Sequence, residues 1–129
     1  MKKGYLAHYC CCGNATYKHS TIFVENNRLD SIKAFAAETP NTTFYDALLI
    51  VVAPSFHAEQ ELFLAQLHEA LTIDTQLSIT EAIVQNSIYI KNSIAVGDEC
   101  CIYALSPISW HNKRPNTTQG AKINLIKTL

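Results

Sequence analysis

Glycine is scarce, with four residues in a chain of 129. The sequence has no Gly-rich loop that could wrap backbone amides around a phosphate. Charge is also sparse, at 16% of residues, and nearly balanced: ten Lys and Arg against eleven Asp and Glu, net −1. No basic stripe stands ready to neutralise a phosphate backbone, so nucleic acid is not an expected partner. The longest apolar run, ALLIVVA, is bounded by Asp46 and Pro54. It is too short to cross a bilayer, and no membrane partner is expected. Nor is a secretory leader expected at the start. The start is basic, but His8 and the tyrosines around it interrupt any apolar core, and the segment reads as the first strand of a cytoplasmic protein. Internal repeats, linkers and low-complexity stretches are absent.

What remains is 48% apolar, the composition of one folded domain spanning 1–129 with a core of its own. Its five cysteines fall in two clusters, Cys10-Cys11-Cys12 and Cys100-Cys101. The count is odd, and neighbouring strand residues point to opposite faces, so bridging within a cluster is disfavoured. A reducing compartment is the simpler reading. The sequons at Asn14, Asn41 and Asn116 are then incidental.

Along the chain, residues 5–12 have the bulk of a strand and Gly13-Asn14 marks a turn. Residues 19–25 and 28–35 flank Asn26-Asn27 as a hairpin. Residues 36–41 read as loop, and 42–52 as one extended segment bent at Asp46-Ala47. The run over 47–52 has the pattern of a strand covered on both faces. Ser55 is positioned to cap a helix from Phe56 to about Leu71, with Glu59 and Glu61 at its positive end. Phe63, Leu64, Leu67 and Leu71 form its apolar stripe. Ser78 and Glu81 match a reciprocal capping box and open a short helix over 79–85. A polar loop over 112–120 precedes a last strand over 121–126.

Several side chains invite a chemical reading. His8, Cys10 and Cys12 alternate, and alternation on a strand gives them one face. With Cys100 or Cys101 as a fourth ligand they are the candidate zinc site. The competing reading is packing, because free cysteine behaves as a small buried hydrophobe, and packing is preferred. His57 and Glu61 sit at i and i+4 on the expected helix. Two ligands are short of a site, and His68 is three helical turns away. Ser109, Trp110 and His111 carry no nucleophile-elbow signature. Trp110, the sole tryptophan, either anchors a protein partner or closes the β-core, and the core role is favoured.

Two stretches resemble the amidohydrolase superfamily. The first runs Glu25-Asn26-Asn27-Arg28, with Leu29 and Ile32 following, then Thr43-Phe44-Tyr45-Asp46-x-Leu48-Leu49-Ile50 and Pro54-x-Phe56. The second is Leu77-Ser78-Ile79-Thr80-Glu81-Ala82, followed by Ser93-Ile94-Ala95-Val96-Gly97-Asp98. In that family these stretches belong to the accessory (composite) β-domain on either side of the metal-binding barrel. The sequence departs from the family where catalysis resides. Ala53 to Glu59 lacks the glycine and the His-x-His pair. Ala47 stands in place of a glycine, and Asp98 in place of a lysine. The strand over 100–105 lacks the family's Asp, and the chain has no room for a barrel. The resemblance implies an accessory β-domain without its catalytic partner.

The expected fold is α+β and β-rich: a mostly antiparallel sheet or sandwich built from both ends of the chain, with one main and one short helix. The alternative is a β-α element of a parallel sheet through residues 47–71. The expected function is non-catalytic, through self-association as a homo-oligomer or through a protein partner. The competing class is a metal-binding or hydrolase-related protein using His8, Cys10, Cys12 and Cys100.

Overall fold

The computed structural model describes residues 2–37, 39–109, 114–115 and 124–129. The fold is α+β and β-rich. Strands β1 (Lys3–Cys12), β2 (Ala15–Glu25), β3 (Arg28–Ala34) and β4 (Thr42–Val52) come first. A 3₁₀ turn (Pro54–Glu59) leads into helices α1 (Gln60–Ile73), α2 (Ile79–Gln85) and α3 (Ser87–Lys91). Strands β5 (Cys101–Ser106), β6 (Ile108–Ser109), β7 (Arg114–Pro115) and β8 (Asn124–Lys127) follow. Six strands form one sheet in the order β3-β2-β1-β4-β5-β8, and β6 pairs with β7 apart from it.

Four of the five pairings in the large sheet are antiparallel, and β1 with β4 is parallel. The two-residue turn between β2 and β3 is Asn26-Asn27, with φ of 52° and 61°. Both residues therefore occupy the left-handed region that a type I′ hairpin turn requires and asparagine tolerates. The three helices bridge β4 and β5, which lie side by side and antiparallel. That connection rules out the parallel β-α-β alternative.

Hydrophobic alternation along β4 divides the core in two. Leu48, Ile50 and Val52 point to the face covered by Phe56, Phe63, Leu67, Leu71, Ile83 and Tyr89. Leu49 and Val51 point to the other face, with Tyr5, Ile22, Leu29 and Ile102. This second face is closed off where the first residues of β3 meet the segment leading into β5. Leu29 N–H donates to Asp98 O at 2.9 Å, Gly97 N–H to Leu29 O at 2.8 Å, and Cys100 N–H to Asn27 O at 2.9 Å. The start of β3 thereby meets the approach to β5 and closes the inner face.

The local departures from expectation have local causes. Ser55 does not cap a helix: its hydroxyl donates to Asn92 Oδ1 at 2.6 Å, and the chain after Ala53 enters as a 3₁₀ turn with Pro54 at its head. The α-helix starts at Gln60 and runs to Ile73, burying Phe63, Leu67 and Leu71. Helix α3 has a cap of its own, Asn86, whose Oδ1 accepts from the amides of Ile88 and Tyr89 at 2.9 and 3.0 Å. At α2 the reciprocal Ser78–Glu81 capping box is formed. Trp110, His111, the sequon at Asn116 and residues 121–123 lie outside the described residues, as does most of the expected loop over 112–120.

Candidate functional site

The five cysteines are all buried and unbridged. Burial pushes the Cys10 thiol far up, with the neighbouring Cys11 and Cys12 adding to the shift. Cys11 is pushed up to about 12 by burial, partly offset by its contact with Thr16 Oγ1 at 3.8 Å. Cys12 and Cys100 are each pushed up to about 11, burial again being the main cause. A thiol held protonated is neither a good nucleophile nor a ready metal ligand.

His8, Cys10 and Cys12 do not share a face, which corrects the sequence expectation. Ala7 opposes Tyr45 of β4, and Tyr9 opposes Leu48, so β4 carries an extra residue between them, at Asp46-Ala47. On the other side His8 and His19 fall in a gap of the β1–β2 register, and His19 has φ of 46°. The alternation of both strands changes phase at this point. Tyr5 and Ala7 point to the inner core, and so do Cys10 and Cys12 beyond the break. His8 instead meets the Phe44 ring at 5.3 Å and Asp46 Oδ1 at 3.4 Å on the outer face. A bulge transposes side chains in this way. Among the described residues, no group of three or more His, Cys, Asp or Glu is gathered closely enough to hold a metal ion.

The other candidates are also apart. His57 Nδ1 lies 3.3 Å from Tyr103 Oη and 3.2 Å from Gln60 Nε2. Glu59 takes Lys91 Nζ at 2.7 Å, and this hydrogen bond holds its carboxyl below the usual range. Glu61 is exposed on α1, and His68 lies further along the same helix. In the inner core, Tyr5 Oη is buried without a hydrogen-bond partner among the described residues, and its ring stacks on Tyr45 at 6.0 Å.

The most organised exposed feature is one that the sequence reading did not single out. It occupies the outer face of the sheet beyond the helices. Lys33, Thr21, Leu6 and Phe44 are directly opposed across β3, β2, β1 and β4, with Thr21 itself buried and Lys33 and Phe44 exposed at the two ends of the row. Directly opposed residues share a face. A second row runs from Phe35, whose N–H donates to His19 O at 2.8 Å, through His19 and His8 to Asp46. The His8 and His19 rings are 6.0 Å apart, edge to face. Phe35 and Phe44 are 45% and 53% exposed, although each is large enough to fill a core position. With Leu6, Thr39 and Thr42 they line a groove of about 240 Å³. Gly4 belongs to the same surface, and a Cβ there would collide with Thr42 Oγ1. The sequence signal was the pair of phenylalanines at Phe35 and Phe44. It became readable only once the register brought the two together.

Compared with family models, curated proteins and solved structures, the chain finds no match.

Proposed function

We propose that this chain is a non-catalytic interaction domain, akin to the amidohydrolase accessory β-domain, and that it acts through the outer-face patch of Leu6, Phe35 and Phe44 with His8 and His19. One observation carries the reading: two exposed phenylalanines line one groove on a sheet face that the helices leave open. Aromatic side chains grouped at the surface and rimmed by polar groups are the composition of an interface centre. The kinship is supported by the way strands from both ends of the chain pair in one sheet, with helices between them. The protonated thiols suit packing better than catalysis.

A photo-crosslinking residue at Ala36, beside the groove, tests this in cells. Protein adducts should form there and be lost in a Phe35→Ser/Phe44→Ser variant that keeps its far-UV circular dichroism. Adducts that ignore both phenylalanines would sink the reading. Elemental analysis of untagged protein tests the competing class. One zinc per chain, lost on Cys10→Ser, would replace an interaction domain with a metal protein.

A further inference from the structure

We propose that the outer-face patch is self-complementary and pairs two copies of this chain about a two-fold axis, with Lys33 of each copy set against Asp46 of the other. This inference rests on the interaction reading above and names the occupant. The argument is the order of charges across the face. Lys33, exposed on β3, stands at one corner of the patch, and Asp46, exposed on β4, at the diagonally opposite one. Three strand spacings separate the two strands, about 15 Å. Between the charged corners lie Leu6, Thr21 and the two histidines, with Phe35 and Phe44 at the remaining corners.

A two-fold axis lying in the plane of the face, perpendicular to the line from Lys33 to Asp46, exchanges the two charges. Both ion pairs then form at once, and Phe44 and Phe35 of each copy come down at the edge of the patch beside the other's Thr21 and His8. Closed two-fold pairing is the commonest symmetry of soluble oligomers, and it needs one patch to complement itself. A face with one sign of charge at both corners would repel its own copy. This face carries opposite signs. The patch is narrower than the ~800 Å² per partner of a standard interface, so the dimer is weak and concentration-dependent.

Sedimentation equilibrium of the full chain, from low micromolar to near-millimolar concentration, tests the proposal. The average mass should climb from 14.4 kDa toward twice that value. Each ion pair occurs twice in the dimer, so Lys33→Asp and Asp46→Lys should each weaken association about tenfold or more. The double exchange K33D/D46K restores opposite charges across the axis and should recover dimerisation to within about threefold of the original. Monomer mass at every concentration would overturn the proposal, as would a double exchange no stronger than either single one. A monomer that still forms Phe-dependent adducts at Ala36 would refute the second copy as occupant and leave the interaction reading standing. A monomer without such adducts would refute both.

Discussion

Alkali should unfold this protein earlier than its size suggests, because of the buried thiols. Raising the pH under reducing conditions ionises the thiols of the unfolded chain near their ordinary value of 9.0. In the folded protein Cys12 and Cys100 hold their protons to about 11, Cys11 to about 12 and Cys10 further still. The folded-state values are raised, so the stabilisation is fully present below pH ~9 and is lost as pH rises through the folded values. One unit above the unfolded value, each thiol has given up about 1.4 kcal/mol. Four together approach ~5 kcal/mol, comparable with the whole stability of a small domain. That sum is an upper figure, because repulsion among Cys10, Cys11 and Cys12 persists in the unfolded chain. The assay is the urea midpoint measured from neutral pH to about 10.5, for the protein and for Cys12→Ala. The midpoint should fall steeply above pH ~9, and the variant should fall less steeply by about a quarter. A midpoint that does not change up to pH ~10, or rapid labelling of the folded thiols at neutral pH, would refute the assignment of these cysteines to packing.

Leu67→Ala should cost ~2–5 kcal/mol by denaturant titration, because Leu67 is 1% exposed at the centre of α1. Leu62→Ala on the exposed side of the same helix should stay within about 0.5 kcal/mol. Asn92→Ala should destabilise by ~1–3 kcal/mol in the same titration. It removes the acceptor for Ser55 Oγ and the donor to Ile88 O, tying α3 to the exit of β4. Lys91→Ala should raise the Glu59 carboxyl back toward its ordinary value, read by NMR titration. The Lys91–Glu59 pair contributes only above the unfolded carboxylate range, and its contribution disappears as acid protonates Glu59 through its lowered value.

Features whose causes are local were legible in the sequence. Asn26-Asn27 announces a tight turn because asparagine tolerates the left-handed region, and both residues occupy it. Ser78 and Glu81 satisfy each other's amides within one turn, so their spacing is sufficient evidence. The Leu64, Leu67 and Leu71 stripe encodes its own helical period. Ser55 misled because a serine before an apolar turn has a local partner in sequence, whereas its partner in the fold is Asn92, thirty-seven residues away. Helix α3 is not legible from periodicity, because five residues carry too little of it, and its one sequence signal is the capping residue Asn86.

The common face expected for His8, Cys10 and Cys12 failed for a more general reason. Period-two reasoning assumes an unbroken ladder, and a single extra residue in a neighbouring strand reverses every assignment beyond it. Here the extra residue is in β4, while the consequence appears in β1 and β2. At the break sits His19, in a backbone conformation that costs a non-glycine residue about 1–2 kcal/mol. An ideal ladder would have avoided that cost. Without the phase change, Cys10 and Cys12 would point at the helices and Tyr9 and Cys11 into the inner core. The break lets β1 supply Tyr5, Ala7, Cys10 and Cys12 to the inner core, and Cys11 and Tyr9 to the helix-covered core. It also leaves His8 facing outward beside Phe44, where the helices stop. One strained residue thereby marks the border between the part of the sheet that the helices cover and the part that they leave open.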